Sequence, residues 1–257
     1  MKTIKNILFF ILCFLLISCK KNDVEHICEE RIKARLEYVN IARPADSYNY
    51  PVYPGMPEWS EFTTAEEMIV ACQVPENILN EMSTQAIIQA IWEYPFVPDV
   101  FARYQYQVGF DEVFSENSAY NALTNRNDAG IALLERLKST NPLMSRVDGE
   151  PKFLEILTSQ GIFLSQLNEI QKKALIEIAL ENDNLRQDCG EANNNRASVG
   201  LLIGKLLKNV AYEPFIDAMN NNEQLKSFIE DTDYIYIPEG YGNIPQLIID
   251  FANEYIK

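Results

Sequence analysis

The spacing of apolar residues constrains the fold of this chain most strongly, because they recur every three or four positions through most of its length. That period is typical of amphipathic helices. Only residues 234–237 form a strand-like run, and Pro238 follows them at once. We therefore expect an all-α fold, either an irregular multi-helix bundle or a short array of helix pairs, with little or no sheet.

Polar residues ahead of the apolar runs predict where helices begin. Long helices are expected over residues 24–42, 99–116 and 165–181. Thr63 with Glu66, or Thr64 with Glu67, has the three-residue spacing of a capping box. The other expected N-caps are Ser83 or Thr84, Asn127 or Asp128, and Ser165. In the helix after Ser165, the residues expected to face inward are Leu167, Ile170, Ala174, Leu175, Ile178 and Ala179.

The first residues have the character of a targeting segment. Lys2 and Lys5 precede an apolar run over residues 7–17, which is shorter than the ~20 residues that span a membrane. The run ends in Leu16-Ile17-Ser18-Cys19, which resembles the lipobox of bacterial lipoproteins. The resemblance implies cleavage before Cys19 and lipid attachment to its sulfur, so that the anchor makes the membrane a partner.

These features predict the domain organisation. Residues 1–18 are expected to be a lipoprotein signal peptide and residues 19–23 a lipidated tether. Residues 24–257 are expected to form a single all-α domain, with a soft boundary near residues 140–149. Position 20 is Lys rather than the Asp of many inner-membrane lipoproteins, so we expect an outer-membrane protein of the cell envelope, on its periplasmic or its surface face.

The charge of the chain excludes one class of partner. It carries 22 basic and 37 acidic residues, a formal net charge of −15. Loss of residues 1–18 removes Lys2 and Lys5, which leaves 20 − 37 = −17. A body this acidic repels nucleic acid and anionic headgroups, so we expect no nucleic-acid binding.

Three cysteines remain beyond the signal peptide and the lipid site. They are Cys28, Cys72 and Cys189, and no two have Cys-x-x-Cys spacing. Two of the three can form one disulfide in an oxidising compartment. Alternatively all three are free, buried thiols, which the apolar helical face around Cys72 favours.

Several short segments within residues 55–140 form a recognisable set. They are Cys72-Gln73-Val74-Pro75-Glu76, Met82-Ser83-Thr84, Tyr94-Pro95, Gln107-Val108-Gly109-Phe110, Asn121-Ala122-Leu123 and Arg126-Asn127-Asp128-Ala129. Together they resemble a group of uncharacterised all-helical bacterial proteins, many of them lipoproteins of Bacteroidetes. The resemblance implies a helical fold and an envelope location, and it carries no catalytic residue.

The sequence predicts no catalytic residue, metal site or cofactor. The single histidine, His26, lies near the anchor, and no Gly-x-Ser-x-Gly motif is present. Gly200 and Gly204 are followed by Leu206 where a P-loop needs Ser or Thr, so we interpret them as small residues that let another helix approach closely. The alternative function is a glycan-processing hydrolase with paired carboxylates, drawn from Glu66, Glu67, Glu93, Asp99 and Asp111.

A Pro-rich segment, residues 44–60, carries the aromatic residues Tyr48, Tyr50, Tyr53 and Trp59. We call it the aromatic loop. One hypothesis is that these rings contact a protein or glycan partner, since rings on an ordered loop lose little entropy on binding. The other is that they pack as a lid on the helical core. The sequence favours a non-enzymatic, lipid-anchored binding or scaffold module for another macromolecule.

Overall fold

The computed structural model describes residues 30, 42–103, 105–143, 149–189, 196–230 and 242–257. Within these ranges the secondary structure is helical and contains no strand, so the expected all-α class is confirmed. The strand-like run at 234–237, part of the soft boundary at 140–149 and all but residues 30 and 42 of the expected first helix lie outside them. A 3₁₀ helix, Pro57–Glu61, precedes the α-helices, which are α1 Ala65–Ala71, α2 Glu76–Glu81, α3 Thr84–Trp92, α4 Val97–Val100, α5 Tyr106–Phe114, α6 Ser118–Thr124, α7 Ala129–Ser139, α8 Glu150–Thr158, α9 Gly161–Leu164, α10 Glu169–Asp188, α11 Ala197–Asn209, α12 Glu213–Asn220, α13 Glu223–Glu230 and α14 Ile244–Tyr255.

The predicted helix starts at α1 and α3 are confirmed. Thr64 and Glu67 form a reciprocal capping box at the start of α1. Ser83 caps α3 by accepting a hydrogen bond from the backbone N–H of Ala86. Asp128 takes the N-cap position of α7, but its carboxylate accepts hydrogen bonds from Thr84 Oγ1 at 2.8 and 2.9 Å instead of capping.

The single helix expected over residues 99–116 is wrong. The chain instead forms α4 and α5, which pack against each other as a tight pair. Gly109 lies against the backbone of Val100, and a Cβ at this glycine would overlap the Val100 carbonyl oxygen. Close packing of the two short helices therefore replaces one continuous helix.

The helix expected to begin after Ser165 begins three residues later than predicted. Ser165 terminates α9, and α10 starts after Asn168, whose side chain forms a capping box with Gln171. Ile170, which we expected to face inward, is 82% exposed. It lies on the side of α10 opposite Leu175 and Ala179, which are buried as predicted.

The helices pack around α11, which is buried along most of its length. It contacts α8, α10 and α14. The close approach predicted for Gly200 and Gly204 is confirmed, because a Cβ at Gly200 would lie 3.1 Å from the Cβ of Pro245, and one at Gly204 would overlap the side chain of Ile229. No described helix is long and apolar enough to cross a membrane.

Candidate binding site at the aromatic loop

A salt bridge fastens the start of the aromatic loop to the end of α3. Arg43 binds the Glu93 carboxylate through two bonds, Nε to Oε1 at 2.7 Å and Nη2 to Oε2 at 2.8 Å. The same Nη2 donates to the Tyr48 carbonyl at 3.1 Å and to Asn49 Oδ1 at 2.9 Å. The Arg43 guanidinium thus links residues 48 and 49 of the aromatic loop to Glu93 at the end of α3.

Electrostatics favour this attachment. Burial opposes ionisation of Glu93, but hydrogen bonds from Arg43 and Gln89 and the charges of Arg43 and Arg136 outweigh it and lower the pKa of this carboxyl. Asp46 accepts a hydrogen bond from the Ser83 backbone N–H at 2.7 Å, which lowers the pKa of Asp46. Both carboxylates are therefore charged near neutral pH.

Tyr50 lies in the core under the loop and matches the lid hypothesis. It is 4% exposed, and its hydroxyl donates to the Ala90 carbonyl of α3 at 2.9 Å. Its ring contacts those of Tyr48, Tyr53 and Tyr94, with centroids 5.1, 6.1 and 6.0 Å away. Burial raises the pKa of Tyr50 far above the ordinary value, so it stays a neutral hydrogen-bond donor.

Tyr48, Tyr53 and Trp59 are only half-buried, each with part of the ring in solvent. The Trp59 ring is fixed by Phe62, 6.0 Å away and nearly perpendicular, and by Phe96 at 5.6 Å. The contact with Phe62 is edge-to-face and the one with Phe96 is tilted by 47°, and aromatic pairs prefer edge-to-face over face-to-face stacking. These three rings are the part of the predicted contact set that the fold leaves accessible.

Sequence reasoning missed that the exposed surface continues beyond the loop. No residue from 53 to 71 is buried, although the segment is ordered as the 3₁₀ helix and α1. Met56 is 42% exposed and Val70 67% exposed. We made no prediction from the sequence about the exposure of α1, which follows from how the helices pack.

The cysteines take different roles. Cys72 is a free, fully buried thiol beneath the loop, and burial raises its pKa to about 11. A thiol with so high a pKa is a poor nucleophile at neutral pH. Cys189 is disulfide-bonded, so the favoured expectation that all three cysteines are free thiols is wrong. Cys28 and the predicted lipid site Cys19 lie outside the described residues, as does His26.

Three of the five acids considered for a hydrolase have structural contacts. Glu67 accepts hydrogen bonds from Thr63 and Thr64, which lower its pKa, and Glu93 pairs with Arg43. Asp111 accepts a hydrogen bond from Gln107 at 2.8 Å within α5. Within the described part of the chain, no group of three or more His, Cys, Asp or Glu side chains could hold a metal ion.

Comparisons with protein-family models, with curated proteins and with solved structures found no match to this chain. Fixed, half-exposed rings on a loop fastened by hydrogen bonds can stack against a planar or cationic group at small entropic cost.

Proposed function

We propose that this chain is a lipid-anchored protein of the bacterial cell envelope, at the outer membrane, and that it binds another macromolecule or scaffolds an assembly. The observation that carries the binding role is the aromatic loop, which Arg43 fastens at its base while Tyr53 and Trp59 stay half-exposed. Rings in this position are suited to a central contact in a protein interface.

The envelope location is supported by two independent features. The segment that ends in Ser18-Cys19 has the lipobox pattern. Cys189 is disulfide-bonded, and disulfides persist in oxidising compartments such as the periplasm and the cell surface.

Labelled-palmitate incorporation tests the anchor, with wild type compared to Cys19→Ala. We expect label in the wild type and none in the variant, since the acyl chains have no other predicted attachment site. Protease treatment of intact cells then separates the two faces of the outer membrane, because only a surface-exposed body is cleaved. An unlabelled wild type would refute the anchor.

Site-specific photo-crosslinking in intact cells tests the binding role. A photoreactive residue replaces Tyr53 on the aromatic loop, and the control replaces Glu177, which is exposed on α10. We expect a discrete adduct from position 53 and none from position 177. Equal adducts from both positions, or none from either, would contradict a binding role for the loop.

A further inference from the structure

We infer that the partner of the aromatic loop presents a cationic, arginine-rich protein segment. This inference rests on the binding role proposed above and names the chemistry of the partner. The surface concerned is formed by residues 53–71, which we call the docking face.

The docking face exposes apolar side chains that no described residue covers. None of its residues is buried, and Met56 and Val70 are 42% and 67% exposed. Trp59 and Phe62 lie between them in sequence, half-buried and in contact with each other. A run of exposed apolar groups rimmed by polar residues is typical of an interaction surface.

The segment of chain that contains this face carries charge of one sign. Residues 44–102 contain nine Asp and Glu and no Lys, Arg or His. Four of those acids, Glu58, Glu61, Glu66 and Glu67, belong to the docking face and are exposed. The nearest cation in sequence, Arg43, is bound to Glu93. The field at the docking face therefore attracts cations and repels nucleic acid and anionic membranes.

Aromatic rings beside exposed carboxylates favour arginine over lysine. A guanidinium is planar and weakly hydrated, so it can stack on a Trp or Tyr ring while its N–H groups donate to a carboxylate. Trp59 has Glu58 beside it and Glu61 two residues on, all within one 3₁₀ helix. The face thus offers both kinds of contact within one turn of chain.

Calorimetric titration of the full-length lipidated protein in a non-ionic detergent tests the inference. The probes are an oligoarginine peptide, an oligolysine peptide and a Gly-Ser peptide of the same length. We expect oligoarginine to bind more tightly than oligolysine, the affinity to fall at high ionic strength, and the Gly-Ser peptide not to bind.

Matched charge variants localise the site. Glu58→Gln with Glu61→Gln removes two charges from the docking face, and Glu177→Gln with Glu181→Gln removes two exposed charges from α10. We expect the first pair to weaken oligoarginine binding at least about fivefold and the second to change it less than about twofold. Trp59→Leu should abolish the preference for arginine over lysine.

Equal weakening by the two double variants would show unspecific attraction to the acidic body and overturn the inference. Absence of oligoarginine binding, or a Trp59→Leu variant that keeps the arginine preference with its circular dichroism unchanged, would overturn it as well. None of these outcomes bears on the photo-crosslinking experiment, which tests the binding role separately. A discrete adduct at position 53 without dependence on Glu58 and Glu61 would retain the binding role and refute only the cationic partner.

Discussion

At the scale of single residues, the most demanding feature is a buried charge cluster between α8, α10 and α11. Glu155 is fully buried and pairs with Arg186, which is 5% exposed. Ser198 donates to Glu155 Oε2 at 2.6 Å, and Arg186 also donates to the Pro142 carbonyl at 3.3 Å. A buried carboxylate is tolerated only when its partners are all in place, so the cluster fixes how three helices meet.

We predict that Arg186→Met lowers the free energy of unfolding by about 3–5 kcal/mol, because it leaves Glu155 as an unpaired buried charge. Glu155→Leu combined with Arg186→Met should recover most of that loss. Chemical denaturation measures both. Arg103→Met is the control, since Arg103 and Glu112 form a half-exposed pair that contributes less than about 1 kcal/mol. A double variant as unstable as Arg186→Met would contradict this account.

A second residue-scale prediction concerns the packing of α4 on α5. Gly109→Ala should destabilise the protein by about 3 kcal/mol or more, since its Cβ would overlap the Val100 carbonyl oxygen and backbone would have to move. Gly161→Ala is the matched control, because no heavy atom lies within 4 Å of a Cβ there. Thermal unfolding compares the two. Similar melting temperatures for both variants would refute the close approach.

At the scale of elements, the aromatic loop is attached to α3 by polar contacts at three points. Arg43 binds Glu93, Asp46 accepts from the Ser83 N–H, and the Tyr50 hydroxyl donates to Ala90. The rings of the loop then pack on Tyr94 and its neighbours in the core. The loop behaves as a separate element whose position depends on two ionised carboxylates.

Acidification should therefore release the loop before the bundle unfolds. The pKa values of Glu93 and Asp46 are lowered by folding, so their stabilisation is fully present above their ordinary pKa values, 4.5 and 3.8, and is lost as the pH falls below them. Limited digestion with an acid protease should give early cuts within residues 44–60. Glu93→Gln should show the same cuts at a higher pH than wild type. First cuts in α11 in both proteins would contradict the prediction.

At the scale of the whole molecule, one hydrophobic core extends from Tyr50 to Ala252. Lys205 of α11 donates to Gln107 of α5, so side chains 98 positions apart also join the two halves of the chain. Among the described residues, the large apolar side chains that stay exposed lie in two regions, Met56 and Val70 near the aromatic loop and Ile162 and Ile170 at α9 and α10.

A disulfide adds a covalent tie to this arrangement. Cys189 is disulfide-bonded and Cys72 is free. Cys13 belongs to the predicted signal peptide and Cys19 to the predicted lipid site, so we predict that Cys28 is the partner of Cys189. Peptide mapping without reduction identifies the linked pair. Reduction should lower the free energy of unfolding by about 2–4 kcal/mol. A link from Cys189 to Cys19 would refute both this pairing and the lipid site.

The sequence by itself determined the features that depend on near neighbours. The helical class follows from apolar spacing, and the Thr64–Glu67 capping box and the Ser83 cap follow from residues three positions apart. The role of Gly200 and Gly204 was also predictable, because two glycines four apart share one face of a helix. Each of these signals acts within one or two helical turns.

Only the tertiary structure decided the features that depend on distant parts of the chain. Tyr50 is buried with its hydroxyl bonded to the carbonyl of Ala90, 40 residues away, whereas Trp59 stays half-buried between Phe62 and Phe96. Ile170 faces solvent because the packing of α10 buries its opposite side. Arg43 forms a salt bridge with Glu93, which lies 50 residues further along the chain. The spacing of residues along the chain cannot predict such pairings, because the contacts that stabilise them form only when the helices pack.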